Sequence, residues 1–422
     1  MMERVVAPEN LNAAWRRVKG NAGAPGIDGM TVGAFPAFCR EHWPRLRDQL
    51  MAGTYRPAAV RRVYIPKPDG SQRPLGVPTV LDRVIQQALA QVLTPLFEGG
   101  FSPHSYGFRE NRNAHQAVRE VEAGWTEGRR HAVDCDLKSF FDTVNHDRLM
   151  GQLREKIKDP RVLGLIQRYL RAGVVLPDGT REATPCGVPQ GGPLSPLLAN
   201  ITLDPLDKEL ERRGHRFARY ADDFLVLLKS AKAAERVMAS LTRFVETKLK
   251  LVVNRVKSKT APVRQCAFLG FQIGVRGKAV WSAKSRLRFK QRVREITRRN
   301  RGHRVRDVID ELRRYVTGWL NYFSISHTYT DVVELGEWVR RRMRLYYWKS
   351  WKRARTRRRH LLALGIPAEE VHMASRSRKG YWRMSGNSIV QRALTNAWLH
   401  GQGVPDLRTS WITLHYGEKA RF

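Results

Sequence analysis

The chain has 422 residues and a formal net charge of +37, with 76 lysines and arginines against 39 aspartates and glutamates. That length is enough for two or three domains, and the charge is typical of proteins that bind polyanions. No apolar run is long enough to span a membrane, no signal-peptide pattern opens the chain, and its four scattered cysteines predict neither a zinc site nor a disulfide framework.

Residues 64–78 carry the first hairpin signal. The segment Pro66-Lys67-Pro68-Asp69-Gly70 favours a turn, because proline and the Asp-Gly pair both do. Lys67 and Arg73 then flank the turn on opposite strands. In so basic a chain, a solvated hairpin without a ligand is the simplest alternative.

Residues 131–137 alternate apolar and polar side chains, as a half-buried strand does. Strand side chains repeat every two residues, so Asp134 and Asp136 should face the same side. Asp136 is nearer the strand's end, where sites in open α/β sheets usually form. Phe140 and Phe141 follow. For the two acids, the alternative is an edge strand whose carboxylates are solvated. For the two phenylalanines, the alternative is that both belong to the core.

The segment from Gly187 to Asn200 predicts a glycine-rich loop that opens a helix. Glycines allow the backbone to approach another chain closely. Ser195 is predicted as the N-cap and Pro196 as a residue of the first helical turn. Helix capping alone also explains these two residues.

The most informative stretch is Tyr220-Ala221-Asp222-Asp223, between two short apolar runs. We expect two strands joined by a turn that presents Asp222 and Asp223 together. Adjacent carboxylates repel, and Mg²⁺ relieves the repulsion because it prefers oxygen ligands. Polymerases use such ions in pairs to activate a 3′-hydroxyl and stabilise the leaving pyrophosphate. The alternative is an acidic hairpin tip in water.

Residues 276–422 hold 34 Lys and Arg against 11 Asp and Glu, a net charge of +23. That bias favours nucleic acid over a membrane surface as the partner. Apolar residues at helical spacing predict three helices that pack as a small bundle. The three stripes are Leu287, Phe289, Val293 and Ile296; then Val305, Val308, Ile309, Leu312, Val316, Leu320 and Phe323; and then Leu335, Trp338, Val339, Met343 and Tyr346.

Aromatic and basic side chains are interleaved between residues 348 and 359. This pattern, which includes Trp348 and Trp351, favours phosphate contacts combined with stacking on bases or sugars. A solvated helix face is the alternative.

Taken in order, these segments resemble the group II intron-encoded reverse transcriptases, also called maturases. The resemblance runs nearly end to end, and the ordered series is far more specific than any one segment. It also includes residues 21–29, 105–109, 254–258, 268–271, 318–323 and 379–385.

The resemblance implies roles for single residues at a polymerase site. Asp136, Asp222 and Asp223 are expected to be catalytic and to hold two Mg²⁺ ions. A further set is expected to bind the incoming deoxynucleoside triphosphate or its neighbours: Lys67 and Arg73 at the triphosphate, Phe141 under the sugar, Gln190 at the nucleotide or template, and Lys257 near the pyrophosphate.

The ring of Phe141 is expected to exclude a 2′-hydroxyl and so to select deoxynucleotides. Nucleic-acid contacts are expected from a set of arginines in the C-terminal part. They are Arg298, Arg299, Arg301, Arg353, Arg355, Arg357, Arg358 and Arg359.

The implied fold is α+β, a right-hand polymerase whose fingers and palm contain an antiparallel sheet, followed by an α-helical thumb or maturase domain. We expect fingers, palm and an N-terminal extension in residues 1–277, the helical domain in 278–365, and a short basic nucleic-acid-binding segment in 366–422. Many relatives carry a further endonuclease module with paired cysteines and histidines, and we expect this chain to belong to the class without it.

The implied activity is RNA-directed DNA synthesis by a protein that also binds its group II intron RNA, assists splicing and copies the intron during retrohoming. Expected partners are the intron RNA, an RNA template with its DNA primer, and target DNA, in the bacterial cytoplasm or at the nucleoid and not at a membrane. The alternatives are a splicing factor with an inactive polymerase, an intron-free relative in DNA repair or phage defence, and an RNA-templated RNA polymerase, against which Phe141 argues.

Overall fold

The computed structural model describes residues 1–66, 70 and 72–417, in two compact units, Met1–Phe268 and Leu269–Phe422. The expected division into residues 1–277, 278–365 and 366–422, with its functional labels, stays a prediction. Each helix in the described part of the chain is too short or too polar to cross a lipid bilayer.

The first unit mixes helices with short strands. Its elements are α1 (Met2–Val5), α2 (Pro8–Gly20), α3 (Phe35–Met51), β1 (Val60–Pro66), β2 (Gln72–Val77), α4 (Val80–Glu98), α5 (Ala114–Thr126), β3 (His131–Cys135), α6 (Phe140–Thr143), α7 (His146–Lys156), α8 (Pro160–Leu170), β4 (Val174–Val175), β5 (Arg181–Glu182), α9 (Ser195–Arg212), β6 (Arg216–Tyr220), β7 (Asp223–Leu228), α10 (Ala231–Phe244), a π-helical turn (Val245–Leu249), β8 (Lys259–Pro262) and a 3₁₀ turn (Val263–Gln265).

An antiparallel four-stranded sheet forms the centre of this unit, in the order β6-β7-β3-β8. Strand β7 is inner and its residues 224–228 are all buried, which explains its continuous apolar run. Helices α5 and α10 pack against the sheet. The expected antiparallel sheet and the α+β class are confirmed.

The predicted hairpin at residues 64–78 is also present. Strands β1 and β2 pair antiparallel, with Ile65 opposite Arg73 and Pro66 opposite Gln72. They join a second four-stranded sheet of order β2-β1-β4-β5. Lys67 lies outside the described residues.

A buried ion pair between Arg219 of β6 and Asp207 of α9 connects the central sheet to its helical support. Both side chains are fully inaccessible to solvent, and the guanidinium donates to both carboxylate oxygens, Nε to Oδ1 at 2.7 Å and Nη2 to Oδ2 at 2.5 Å. Burial raises the pKa of Asp207, and Arg219 opposes that rise. The pair is bidentate, the geometry in which Arg binds carboxylates most strongly.

The remaining donors of Arg219 reach α9 a second time and hold two further segments. Nη1 donates to the Asn200 side chain and to the carbonyl of Ala221, and Nη2 donates to Ser105 Oγ. Asn200 in turn donates to the carbonyl of Gly107. One buried guanidinium therefore fixes α9, the 105–107 segment and the turn after β6 to one another.

The second unit is mostly helical. Its elements are β9 (Phe271–Ile273), β10 (Ala279–Trp281), α11 (Ala283–Ile296), α12 (Val305–Phe323), α13 (Tyr329–Ser350), α14 (Ala354–Ala363), α15 (Ala368–Ser375), α16 (Tyr381–Met384), α17 (Ser388–Ala393), α18 (Asn396–Gly401) and α19 (Leu407–Tyr416).

The three predicted helices correspond to α11, α12 and α13, and most of their apolar stripes are buried. Leu287 was wrongly placed in the α11 stripe, since its side chain is 61% exposed. It lies two positions before Phe289, and helix residues two apart do not share a face.

The stacking role expected for Trp348 and Trp351 is also wrong. Trp348 is fully buried, Trp351 is 6% exposed, and the Trp351 ring stacks on His360. The tryptophans expected to contact nucleic acid belong to the core, because both pack inward where α13 ends and the chain turns into α14.

Replacing Arg219 with Met should lower the free energy of unfolding by about 3–5 kcal/mol, because Asp207 is left buried and unpaired. The double variant Arg219→Met/Asp207→Leu should recover part of that loss. Urea unfolding measures both. Arg212→Met is the matched control: Arg212 forms an exposed pair with Glu209 on α9, and its loss should barely move the midpoint. If Arg219→Met were as stable as Arg219→Met/Asp207→Leu, the unpaired Asp207 would not be the cause of the loss.

Candidate active site

The acidic turn lies between β6 and β7, as the sequence predicts. Tyr220 pairs with Asp223 across the hairpin, and Ala221 has φ 59°. This value lies in the left-handed region, which is uncommon for residues other than glycine. The Ala221 carbonyl accepts the hydrogen bond from Arg219, which holds this conformation. A Cβ added to Gly107 would lie 2.3 Å from Ala221 N, so the 105–109 segment must have glycine where it packs under the turn.

Strand register brings Asp136 beside this turn. Cys135 of β3 lies opposite Phe224 of β7 in an antiparallel pair. The residue after Cys135 therefore lies next to the residue before Phe224, which places Asp136 beside Asp223.

The residues after the π-helical turn hold Asp136 in position. Asn254 Nδ2 donates to Asp136 Oδ2 at 2.8 Å, and the Asn254 backbone amide donates to the Asp136 carbonyl at 2.8 Å. The Asp136 amide donates to Ser258 Oγ at 3.0 Å. The carboxylate is thus fixed at the point where its strand ends.

Four acidic residues interact at this edge of the sheet. Burial raises the pKa of Asp223 to about 7, and the negative charges of Asp134, Asp222 and Asp136 add to the rise. Burial also raises the pKa of Asp222, which Arg73 opposes and Asp136 reinforces. The pKa of Asp134 is raised as well, by burial first and by Asp136, against Lys259. The cluster holds more negative charge than its neighbours neutralise.

The cluster fits a hard divalent cation by its chemistry, since every donor is a carboxylate oxygen and the charges repel. Within the described residues, no three His, Cys, Asp or Glu side chains are close enough to enclose an ion. The acids are therefore neighbours in electrostatic contact rather than a closed ligand shell.

Two of the expected nucleotide-binding residues meet. Arg73 Nε donates to Gln190 Oε1 at 3.2 Å, and the Gln190 carbonyl accepts from the Gly76 amide at 2.7 Å. Gly191 has φ 120°, and a Cβ there would lie 2.7 Å from the Gly76 carbonyl oxygen. Only glycine allows this loop to run so close to β2.

The predicted N-cap at Ser195 is wrong. Leu194 precedes the helix, and Ser195 is its first residue. The Ser195 hydroxyl instead donates to the Pro189 carbonyl at 2.6 Å, so it ties the loop down next to Gln190. Pro196 does lie in the first turn.

Phe141 and Lys257 lie in contrasting environments. Phe141 is 8% exposed and its ring meets Phe140 edge-on at 5.2 Å, so both phenylalanines contribute to the core. The Phe141 carbonyl accepts from the Val188 amide at 2.6 Å, which joins α6 to the glycine loop. Lys257 is exposed in the turn that holds Asp136.

The expected nucleic-acid-binding arginines differ in their exposure and in the contacts that their side chains make. Arg298, Arg353, Arg355, Arg358 and Arg359 are exposed. Arg301 is engaged with Glu311 and the Ile296 carbonyl. Arg357 donates to the Trp351 carbonyl and lies over the Trp348 ring. Arg299 is exposed but lies over Tyr381.

Comparison with known proteins gives the family. Residues 65–273 match the reverse transcriptase (RNA-dependent DNA polymerase) family, and residues 286–365 match the group II intron maturase-specific domain. Protein YkfC of Escherichia coli (strain K12) is 35% identical over 315 residues, which cover 65% of this chain and 82% of YkfC. The chain belongs to the group II intron-encoded reverse transcriptases.

The activity of this reverse transcriptase class is RNA-directed DNA polymerisation. The group II intron-encoded protein LtrA of Lactococcus lactis subsp. cremoris is 30% identical over 338 residues, 64% of this chain and 56% of LtrA. The chain thus spans somewhat more than half the length of that relative.

Several residues of the site escaped the sequence prediction. Asn254 and Ser258 lie in a segment noted only for its lysine, and their contact with Asp136 spans more than a hundred positions. Arg219 directly precedes the acidic turn, but nothing in the sequence marks it as buried. Asp134 was recognised as an acid of the right face, and the structure adds it to the cluster.

Asn254→Ala should slow DNA synthesis by about 10–100-fold, as loss of a residue that orients an ion ligand typically does. The concentration of Mg²⁺ needed for half-maximal rate should rise, because Asp136 is no longer fixed. Steady-state primer extension at several Mg²⁺ concentrations measures both. Val256→Ala is the control, since Val256 lies in the same turn and is 96% exposed. An unchanged Mg²⁺ requirement would exclude a positioning role.

Mg²⁺ should raise the melting temperature more at about pH 8 than at about pH 5.5. In the folded protein the pKa of Asp223 is raised to about 7, whereas in an unfolded chain it lies in the ordinary acidic range, so between these two pH values only the folded chain tends to keep the proton. Stability without a cation therefore falls as pH rises through that window, and a cation offsets the loss most above it. Asp223→Asn should reduce the difference. Equal Mg²⁺ effects at both pH values in the unmodified protein would contradict this.

Proposed function

We propose that this chain copies an RNA template into DNA with Asp136, Asp222 and Asp223 as its catalytic acids, and that its resident partner is a group II intron RNA. The register that puts Asp136 beside Asp223 carries the proposal, because it joins acids far apart in sequence at one sheet edge. Family membership supplies the reaction.

The proposed cofactor is a pair of Mg²⁺ ions held by these three acids, which would lower the pKa of the primer 3′-hydroxyl and neutralise charge on the phosphates. The protein contributes positioning. Arg219 fixes the turn that carries Asp222 and Asp223, and Asn254 fixes Asp136. Catalysis of phosphoryl transfer consists mostly of such positioning and charge stabilisation.

The deoxynucleoside triphosphate would be held from the β1–β2 hairpin and the glycine loop. Arg73 and Gln190, which are hydrogen-bonded to each other, would contact the nucleotide, together with Lys67. Phe141 would lie under the sugar and Lys257 near the departing pyrophosphate. Burial raises the pKa of Asp222 and Arg73 opposes that rise, so the charge of Arg73 reaches the acidic cluster.

Intron RNA binding, assistance to splicing and copying during retrohoming are proposed for the second unit acting with the first. Support comes from the maturase-specific match at residues 286–365, the similarity to LtrA and the net charge of +23 in residues 276–422. The exposed arginines 298, 353, 355, 358 and 359 are proposed contacts to RNA or DNA. Location in the bacterial cytoplasm, with access to the nucleoid, stays a prediction.

The test is primer extension on an RNA template with Mg²⁺. Asp136→Ala, Asp222→Ala and Asp223→Ala should each abolish synthesis, because each removes a proposed ion ligand. Binding of intron RNA should persist, since the acids repel RNA. Asp147→Ala, at an exposed position of α7, is the control. Near-normal synthesis by any of the three variants would refute the assignment, and an inactive Asp134→Ala beside an active Asp136→Ala would shift it to Asp134.

Phe141→Val should raise incorporation of ribonucleotides relative to deoxynucleotides, because a smaller side chain opens space at the 2′ position. Competition between the two substrates in single-nucleotide extension measures the ratio. Phe140→Val is the matched control: it also removes a buried ring, so it should cost stability without changing the ratio. Equal ratios in both variants and the parent protein would mean that Phe141 is only core.

A further inference from the structure

Tyr381, the first residue of α16, has three cationic groups over its ring. The distances to the ring centroid are 5.1 Å from Arg299 Cζ, 4.9 Å from Lys349 Nζ and 5.9 Å from Arg357 Cζ. A ring has two faces, so at least two of these cations share a face.

The three cations come from separate parts of the second unit. Arg299 lies between α11 and α12, Lys349 near the end of α13, and Arg357 in α14. Arg299 and Arg357 are far apart in sequence, so the three cations come together only when this unit is folded. Lys349 lies in the interleaved segment 348–359 and Tyr381 in the predicted nucleic-acid-binding segment 366–422, but neither was singled out as a contact residue.

No described carboxylate forms an ion pair with any of the three. The side chains of Arg299 and Lys349 also make no hydrogen bond with any residue that the structure describes. A single contact between a cation and a ring is weak at an exposed site. Like charges gathered this closely repel, so the arrangement favours an anion.

A neighbouring residue gives a second observation of the same positive field. Arg342 donates through Nε to Thr297 Oγ1 and through Nη2 to the Thr297 carbonyl, so its position is fixed. Burial lowers its pKa, and the charges of Arg294 and Arg299 lower it further. The positive field of Arg299 therefore extends to Arg342. We name the Tyr381 ring and the three cations over it, Arg299, Lys349 and Arg357, the Tyr381 basin.

The chemistry of the basin favours phosphate over nucleobases. Bases stack on free aromatic faces, but the Tyr381 ring is covered by cations, and Trp348 and Trp351 are buried. Guanidinium groups bind phosphate oxygens through paired N–H donors, and Lys adds a point charge.

We propose that the Tyr381 basin binds a backbone phosphodiester of RNA, without regard to base identity. The proposal rests on the proposed function, since it takes the nucleic acid as partner from there. Tyr381 acts as the platform that positions Arg299 and Lys349, and Arg357 both lines the basin and ties α14 to α13.

The test removes the two cations that do not hold the fold. Arg299→Gln/Lys349→Gln should weaken binding of a labelled single-stranded RNA by about tenfold at moderate salt, and reduce the slope of log affinity against log salt by about 1.4. Fluorescence anisotropy across a salt series measures both. Arg357 is left in place because Trp351 depends on it.

Arg276→Gln/Lys278→Gln is the matched control, because it removes one exposed Arg and one exposed Lys from the same unit. The control should change affinity and slope clearly less. Tyr381→Leu should weaken binding, whereas Tyr381→Phe should not, since the Tyr381 hydroxyl makes no hydrogen bond with the described residues. Melting temperatures confirm folding, and Lys349→Gln alone replaces the pair if the pair unfolds.

The ligand is identified by competition. An abasic phosphodiester oligomer should compete at the basin, with a competing power that falls in the Arg299→Gln/Lys349→Gln variant. Inorganic phosphate or pyrophosphate competing at equal phosphate concentration would overturn the backbone assignment in favour of a free anion site, and polyglutamate competing as well as the oligomer would point to an acidic protein.

The two proposals fail differently. If the unmodified protein binds RNA no better than it binds polyglutamate, the proposed function fails. If the unmodified protein binds RNA and the basin variant matches the Arg276→Gln/Lys278→Gln control in affinity and slope, the Tyr381 basin alone is refuted.

Discussion

The first unit depends on one buried ion pair. Arg219 shares two hydrogen bonds with Asp207 in a site closed to water, and its other donors reach Asn200, Ser105 and Ala221. Because a buried charge that loses its partner is costly, the three segments cannot separate without loss of stability. The same contact sets the backbone of the acidic turn. Fold stability and the placement of Asp222 and Asp223 thus rest on one guanidinium.

The acidic cluster is the opposite case, since its members destabilise one another. Asp223 keeps a pKa of about 7 because burial and three neighbouring carboxylates disfavour its charge. A sheet edge that concentrates negative charge without matching cations is expensive to keep, and such perturbed groups in one place indicate a functional site. Arg219 and Asn254 supply the rigidity that keeps these groups together despite the repulsion.

Local patterns predicted much of this from sequence. The β1–β2 hairpin, strand β3, the acidic turn and three helices of the second unit each follow from spacing or turn residues within a short window. Errors arose where tertiary packing decides. Ser195 bonds to Pro189 instead of capping α9, Leu287 lies on the outer face of α11, and Trp348 and Trp351 are core. The role of Asn254 and the Tyr381 basin both depend on contacts between residues far apart in sequence, and the spacing of residues within a short window does not predict such contacts.

The central claim is that Asp136, Asp222 and Asp223 together hold the cations of the polymerase reaction. The most direct measurement is the anomalous diffraction of Mn²⁺ in crystals of the protein with an RNA–DNA hybrid and a non-reacting deoxynucleotide analogue. The account predicts two Mn²⁺ ions about 4 Å apart, with carboxylate oxygens of all three residues as ligands and Asn254 still bonded to Asp136. Ions bound without Asp136, or no ion at this sheet edge, would contradict it.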